Sequence, residues 1–520
     1  MRKRAFGIIM TVALVVIAAC GGGSSGQQNV SGPPKSGGSV AFGLRSDLSA
    51  ASLDPIRIFS DSDASIAYGI YDPLLNRLGS KGELSPWLAD TWEPSSDLKT
   101  WTFHLHKGIT FQDGTPFNAD AVVVNFQRHM DPRNKSTSLG NASLIDTVSA
   151  ADDSTFMVKL KTPWVDFPQT LTAGPGYAFI ASPAAIKQYG DDYGKHPVGT
   201  GPFALKEWVP GDHITATKNK SYWKQPYPYL DSVTWRFIPD QDSKYAALKA
   251  GQIDVLQVAT ADQVVKAEKD SKLKVAKYEG NGGTFVMVNT QAPPFNDPNA
   301  RLALSYATDR QEITHQIGKD RYPPAVGIFP PGSDWFSTGI TEPKFDLDKA
   351  KQYLQAYGKP LSFKFNIVTD PITRQYGQVL QAQWQKAGIN VELNQMDQPT
   401  LIGAALGHQF QAQIFQYGDW FDPDYQFFTT WISPSTKLTV TNYTLYSNPA
   451  VDAALVKGRT TSDPSARKQA YAVLQQALAQ DQPYVWLHYN TSYMIVNRKV
   501  QNLPTIYSSV SKPFQIWVSS

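Results

Sequence analysis

The densest run of structural signals in the chain lies between residues 86 and 128. In its middle, Trp101, Phe103 and Leu105 alternate with polar residues, and this period of two predicts a half-buried β-strand. Asn118 then suits the N-cap of a helix, because its side chain can accept a hydrogen bond from a free backbone N–H and apolar residues follow at every fourth position. A strand, a glycine-bearing turn and a capped helix in such a short stretch predict a fold that mixes strands and helices.

Length and charge restrict the possibilities further. A chain of 520 residues is too long for one ordinary hydrophobic core and predicts two or three domains. Hydrophobic residues make up 42% and charged residues 18%, which is typical of a folded globular protein. The formal net charge of +3 comes from three basic residues in a segment that we expect to be removed, Arg2, Lys3 and Arg4. Without them 45 basic residues balance 45 acidic ones, so no nucleic-acid partner is indicated.

The N-terminus has the pattern of a secretory signal peptide, which we assign to residues 1–19. A basic start precedes an apolar run at residues 8–19, which is shorter than a membrane-spanning helix requires. Cys20, the single cysteine, ends a sequence that looks like a bacterial lipobox, where it becomes the lipidated mature N-terminus. A plain secretory signal with an incidental cysteine is the alternative. Residues 20–38 then form a lipidated, Gly/Ser-rich flexible linker, so we predict a body anchored to the extracytoplasmic face of the cell membrane.

A second region predicts parallel strand pairing. Residues 361–367 alternate apolar and polar side chains as a strand does, and residues 389–393 repeat the pattern. Between them, residues 374–387 have the composition of a helix that Gly388 ends. A strand, helix and strand with short links form a βαβ unit, which requires a parallel pair and a right-handed crossover.

The stretch at residues 101–122 resembles the signature of the peptide/nickel-type extracellular solute-binding proteins, family 5, which are receptors for ATP-driven importers. It reads Trp-Thr-Phe-x-Leu, then Lys-Gly-Ile-x-Phe-x-Asp-Gly-Thr-Pro-Phe, and residues 198–203 and 301–310 also match motifs of that family. The resemblance implies an α/β, two-lobed, hinged periplasmic-binding-protein fold of type II, with an extra subdomain in the first lobe. It also implies a substrate-binding lipoprotein that is monomeric, has no enzyme activity and no cofactor, and delivers its ligand to permease and ATPase subunits.

The chain changes character at Gly282-Gly283, and we place the crossing between the lobes there. Residues 39–283 are predicted to form the first lobe, with the inserted subdomain at about 59–174. Residues 284–483 form the second lobe, and residues 484–520 return to the first.

The strongest candidate for the ligand site is the segment 416–424, which combines aromatic residues, a glycine and three carboxylates. In the oligopeptide and dipeptide binders that the chain resembles, an aspartate three residues before an acidic residue and proline holds the N-terminal ammonium of the peptide. Asp419 has that position relative to Asp422. An ammonium in a closed cleft needs an anionic partner, because an unpaired buried charge costs several kcal/mol. The alternative is that Asp419, Asp422 and Asp424 cap a turn and are solvated.

We therefore predict an oligopeptide ligand. The residues predicted to bind it are Asp419, Tyr417, Gly418, Trp420 and Trp431. No histidine follows Pro423, as it does in nickel-chelate binders, and residues 366–370 lack the arginine that fixes the carboxylate end in dipeptide binders. Longer peptides held through their backbone fit this pattern better.

Other functions stay open at the level of sequence. Aromatic residues make up 12% of the chain, so sugar rings stacked on Trp420, Trp431 and Trp335 would make an oligosaccharide receptor, and a receptor for another small solute is also open. His104 and His106 share a strand face as a zinc pair would, but no third ligand is indicated and solvent-facing histidines are the better interpretation. A lipid-tethered glycosidase using Asp422 and Asp424 is the most distant alternative.

Overall fold

The computed structural model describes residues 32–48, 51–78, 83–172, 179–436, 441–503 and 510–519. The predicted signal peptide, Cys20 and the first part of the linker lie outside the described residues. The compact unit discussed below is Pro34–Ser520. Within the described ranges, none of the helices combines the length and the apolar character needed to cross a membrane.

Strands are distributed along the whole described chain. They are β1 (Ser39–Leu44), β2 (Leu75–Leu78), β3 (Glu83–Pro86), β4 (Ala89–Pro94), β5 (Thr100–Leu105), β6 (Ile145–Asp152), β7 (Thr155–Leu160), β8 (Phe203–Val209), β9 (His213–Lys218), β10 (Ser232–Phe237), β11 (Val255–Leu256), β12 (Leu273–Val288), β13 (Ser362–Val368), β14 (Asn390–Met396), β15 (Ala412–Tyr417), β16 (Tyr484–Asn497), β17 (Val500–Gln501) and β18 (Trp517–Val518).

Helices alternate with these strands. They are α1 (Asp61–Ile70), α2 (Ala119–Met130), α3 (Leu139–Ala142), α4 (Pro183–Tyr189), α5 (Gln241–Lys249), α6 (Ala261–Ala267), α7 (Pro298–Tyr306), α8 (Arg310–Gln316), α9 (Leu347–Tyr357), α10 (Pro371–Ala387), α11 (Gln398–Leu406), α12 (Pro423–Trp431), α13 (Pro449–Thr460) and α14 (Pro464–Asp481).

One ten-stranded sheet runs through the molecule in the order β14-β13-β15-β12-β16-β11-β1-β10-β9-β8. The long strands β12 and β16 pair antiparallel in its middle, and they are the connection between its two halves. Their register shifts between Glu279 and Gly283, so the ladder is interrupted where one half meets the other. An interrupted pair of crossing strands is the hinge of the two-lobed, type II periplasmic-binding-protein fold.

Each half of the sheet has its own hydrophobic core. In the first lobe, β1 and β10 pack with α1, and Trp235 is fully buried between them. In the second lobe, separate cores form on the two faces of the sheet, around Phe285 and around Phe365. Independent cores on either side of a strand interruption allow each lobe to move as a unit.

The first lobe also carries a second, four-stranded sheet of order β4-β5-β7-β6, which packs with α2 around Trp101, Phe103 and Phe126. The fully buried carboxylate of Asp72 holds this layer against the rest of the lobe. Its donors are Trp87 Nε1 (2.6 Å), Tyr222 Oη (3.0 Å), Trp223 Nε1 (2.9 Å) and Thr200 Oγ1 (3.0 Å). Four hydrogen bonds satisfy a group that would otherwise be costly to bury.

Local predictions are confirmed where side chain and backbone interact within a few residues. Asn118 caps α2 by accepting from the N–H of Ala121, and β13 and β14 pair in parallel across α10 as a βαβ unit requires. Helix α10 begins at Pro371 rather than at residue 374, because Asp370 provides the cap. Strands β12, with 16 residues, and β16, with 14 residues, are the longest strands of the described chain.

Candidate functional site

The site is built where β15 ends at the hinge. Tyr417, the last residue of β15, pairs with Gly283 of β12, and the chain then leaves the sheet until α12 begins at Pro423. Residues 418–422 form this short connection. The predicted ligand residues Gly418, Asp419 and Trp420 are therefore placed beside the two strands that cross between the lobes.

Asp419 is held by both crossing strands. Its Oδ1 accepts hydrogen bonds from the N–H of Gly282 at 3.0 Å and from Asn490 Nδ2 at 3.1 Å. Gly280 packs directly on this carboxylate, since a Cβ at that position would lie 1.9 Å from Oδ1. Asn281 Nδ2 also donates to the carbonyl oxygen of Trp420 at 3.1 Å. The hinge strands thus fix the position of the predicted ammonium partner.

The ionised form of the Asp419 carboxylate is unfavourable in its buried position. Burial raises the pKa of Asp419 to about 6, and the negative charge of Asp61 adds to the rise, while the hydrogen bonds from Asn490 and Gly282 oppose it. Part of the side chain stays accessible, although protein surrounds it on most sides. A partly reachable carboxylate with a raised pKa is suited to bind a cation, because a positive partner would lower the cost of ionisation.

The three predicted aromatic residues are buried in one hydrophobic core of the second lobe. Trp420 and Trp431 are almost completely buried in the core of the second lobe, and Tyr417 Oη lies 2.6 Å from Tyr484 Oη. Within the described residues, the buried Nε1 atoms of Trp420 and Trp431 make no hydrogen bond. Their rings pack in this structure, and their contact with a ligand stays a prediction.

Asp422 and Asp424 are not solvated, contrary to the alternative drawn from the sequence. Asp422 caps α12 and accepts from Arg467 Nη1 at 2.7 Å, and Asp424 accepts from Arg459 Nε at 2.9 Å. All four side chains are buried, so each carboxylate needs its arginine to offset desolvation. Carboxylates committed to such ion pairs are poor candidates for the acid and the nucleophile of a glycosidase.

The two lobes touch beside this segment. From the first lobe, Val165 N–H donates to the carbonyl oxygen of Arg459 at 3.0 Å, and the Arg459 guanidinium lies 4.7 Å from the Trp164 ring centroid. The guanidinium of Arg77, on β2, lies 3.7 Å over the ring of Phe421. These contacts join the first lobe to Arg459 and Phe421 of the second.

Asp419 was proposed from the sequence, but the residues that contact it were not. Asn490 lies in β16, and no local motif marks it, because its role depends on pairing with β12. The run Gly280-Asn281-Gly282-Gly283 was the available signal, since adjacent glycines mark close backbone approach.

The two histidines considered as a zinc pair have different surroundings. His104 is exposed, and His106 lies 2.9 Å from Asp90 through its Nδ1 and packs on Trp223. The described ranges contain no group of three or more potential ligands arranged to hold a metal ion. Trp335, considered for sugar stacking, lies half-buried over Tyr471 and beside Arg467.

Comparison with known proteins gives consistent results. Residues 83–438 match the sequence pattern of the bacterial extracellular solute-binding proteins, family 5. The glutathione-binding protein GsiB of Pectobacterium atrosepticum is 30% identical over 446 residues, covering 84% of this chain and 86% of that protein. GsiB of Escherichia coli K12 is 29% identical over 442 residues, covering 83% and 86%.

Solved structures agree with the fold. The periplasmic binding protein DppA from Helicobacter pylori, in complex with the peptide STSA, superimposes with a TM-score of 0.82 at 27% identity, covering 94% of this chain and 99% of DppA. AgaA from A. tumefaciens R10, in complex with agropinic acid, gives a TM-score of 0.81 at 25% identity, covering 93% of this chain and 99% of AgaA.

Proposed function

Because this chain belongs to the bacterial extracellular solute-binding proteins of family 5, we propose that it captures peptides with a free amino terminus between its two lobes and passes them to an ABC importer. The observation that carries this proposal is Asp419, a partly accessible carboxylate held at the crossing strands. A ligand bound there contacts the hinge itself, so its binding energy can favour one arrangement of the lobes over another.

The ligand ammonium is proposed to pair with Asp419. An ionised Asp419 is disfavoured in the unliganded site, and an ammonium supplies both the opposite charge and the hydrogen-bond donors that a carboxylate accepts. Gly418 leaves the backbone accessible next to it. Tyr417, Trp420 and Trp431 are proposed to form the apolar core that backs this ammonium site.

Similar proteins support a peptide rather than a sugar. The names of two relatives specify glutathione, a tripeptide with a free amino group, and DppA was solved with the peptide STSA. The sequence prediction of oligopeptides belongs to the same class. Oligosaccharide binding is the second candidate, and it depends on the half-buried ring of Trp335, because Trp420 and Trp431 are enclosed in the core.

The cellular role follows from the sequence and is part of the same proposal. We propose that Cys20 is lipidated and tethers a monomeric receptor to the extracytoplasmic face of the membrane, where permease and ATPase subunits are its partners. Lobe boundaries near residues 284 and 484 are also proposed. They fall within β12 and at the start of β16, the two strands that run between the lobes.

Calorimetric titration of the purified protein tests this function. A pool of tri- to hexapeptides is expected to bind, N-acetylation of the peptides is expected to abolish binding, and Asp419→Asn is expected to weaken it at least tenfold. Asp348→Asn, an exposed aspartate in α9, is the matched control and should bind as the unaltered protein does. Binding of cello- or xylo-oligosaccharides in place of peptides would contradict the proposal.

A further inference from the structure

The side chain of Gln416 is linked to Asp419 through Asn490. Gln416 Nε2 donates to Asn490 Oδ1 at 3.0 Å, and Asn490 Nδ2 donates to Asp419 Oδ1 at 3.1 Å. Asn490 Nδ2 also donates to the carbonyl oxygen of Tyr417 at 2.9 Å. A residue of β15 therefore contacts, through one amide of β16, the carboxylate that we propose as the ammonium partner. We call Gln416 and Asn490 the amide relay.

The neighbours of Asn490 determine which way its amide faces. The carbonyl oxygen of Tyr417 can only accept a hydrogen bond, so the end of Asn490 that contacts it and Asp419 is the N–H₂ group. The other end is the oxygen Oδ1, which needs a donor because Asn490 is only 8% exposed. Gln416 supplies that donor, so it completes the set of hydrogen bonds that holds the amide in this orientation.

The interruption of the sheet directs Asn490 toward the site. In the ladder between β12 and β16, Tyr489 pairs with Gly283 and Thr491 pairs with Glu279, so Asn490 lies inside the register shift. Irregularities of this kind turn a side chain away from the direction that a regular strand would give it. Gln416, by contrast, is held in a regular ladder, where it pairs with Thr284 of β12.

The hydrogen bond from Asn490 favours the ionised form of Asp419. Burial raises the pKa of Asp419 to about 6, and the bond from Asn490 is the largest effect that opposes the rise. The N–H of Gly282 on β12 acts in the same direction, while the negative charge of Asp61 on α1 acts against both. An ammonium pairs with the ionised carboxylate, so a residue that keeps Asn490 in place extends the pH range in which the site binds it.

Resting on the proposed function, we propose that Gln416 is a positioning residue for the ligand ammonium: by donating to Asn490, it keeps the N–H₂ group of Asn490 on the Asp419 carboxylate. Gln416 acts through Asn490 in this role, and no contact between Gln416 and the ligand is required. The inference adds a residue to the site, because the predicted ligand residues of this segment begin at Tyr417.

The pH dependence of trialanine binding tests the inference, by calorimetric titration of the purified protein and of Gln416→Leu. Gln416 is exposed on its strand, so the substitution leaves the cores intact. Loss of a hydrogen bond to a charged group corresponds to about one pKa unit. From pH 8 to pH 5, affinity is expected to fall about tenfold in the unaltered protein and about a hundredfold in Gln416→Leu. Gln411→Leu is the matched control, because the Gln411 amide bonds to Lys364 and Pro293 instead, and it should behave as the unaltered protein does.

Asn490→Ala tests whether Gln416 acts through Asn490. This variant alone should steepen the pH dependence at least as much as Gln416→Leu does. Adding Gln416→Leu to Asn490→Ala should then change nothing further, because the two residues act as one unit. A further tenfold steepening in the double variant would overturn the amide relay.

The pKa of Asp419 in the unliganded protein separates the inference from the proposed function. Carbon NMR of protein labelled at the aspartate Cγ atoms measures it, and Asp419→Asn identifies the resonance. Gln416→Leu should raise this pKa by about one unit. An unchanged pKa, or an affinity reduced equally at every pH, would overturn the positioning role and leave the ammonium site standing. A raised pKa in a protein that binds no free-amine peptide would overturn the proposed function and support the action of Gln416 on Asp419.

Discussion

Replacement of Asp419 by asparagine is expected to stabilise the unliganded protein at neutral pH while abolishing stabilisation by ligand. Asparagine has nearly the same shape, and its Oδ1 can accept the hydrogen bonds from Gly282 and Asn490. What the substitution removes is the charge, which the folded protein holds at a cost.

The size of that cost follows from the pKa. A rise from 3.8 to about 6 corresponds to about 3 kcal/mol between pH 4 and pH 6. Because part of the Asp419 side chain stays accessible, we expect about 1–2 kcal/mol of stabilisation in Asp419→Asn. The sign follows from proton binding: between these pH values the folded protein holds a proton that the unfolded chain releases, so stability falls as pH rises. The full cost applies above about pH 6.

Urea denaturation at pH 5 to 8, with and without trialanine, measures both effects. Asp419→Asn should be more stable than the unaltered protein above about pH 6, and the difference should shrink toward pH 4. Added trialanine should stabilise the unaltered protein and Asp348→Asn but leave Asp419→Asn unchanged. A loss of stability in Asp419→Asn at pH 7.5 would refute the reasoning, because it would mean that the charge is already compensated.

Three further predictions address the same structure. Peptide affinity should fall about tenfold from pH 8 to pH 5 in calorimetry, since protonation of Asp419, with a pKa of about 6, removes the ammonium partner; an unchanged affinity would contradict this. Gly280→Ala should weaken peptide binding at least tenfold, because a Cβ would displace the Asp419 carboxylate, whereas Gly403→Ala has open space and should bind normally. Asp72→Asn should lower the free energy of unfolding in denaturant by about 2–4 kcal/mol, because an amide N–H₂ would face indole and hydroxyl donors. A decrease below about 1 kcal/mol would show that these hydrogen bonds contribute little.

The parts of the fold that sequence predicts are those decided by neighbouring residues. Asn118 caps α2 through a residue three positions away, and the βαβ unit around α10 follows from alternation and from Gly388 as a helix end. The length of β12 could not be predicted from the sequence. Its glycines interrupt the alternation, and only pairing with β16 keeps the strand continuous through them.

The candidate site, like the fold, has residues that the sequence predicts and residues that it does not. Asp419 was predicted by family resemblance, while the buried partners of Asp422 and Asp424 lie 45 and 35 residues further along the chain. Gln416 and Asn490 are 74 residues apart in sequence and meet only in the folded sheet. Contacts of this range depend on topology, which local patterns do not specify.

A crystal structure of the protein with bound trialanine would show whether the ligand ammonium pairs with Asp419. We predict that the peptide ammonium nitrogen lies within about 2.7–3.2 Å of the Asp419 carboxylate, which keeps its hydrogen bonds from Gly282 and Asn490. A peptide bound in the cleft with its ammonium in solvent, or paired with another carboxylate, would contradict it.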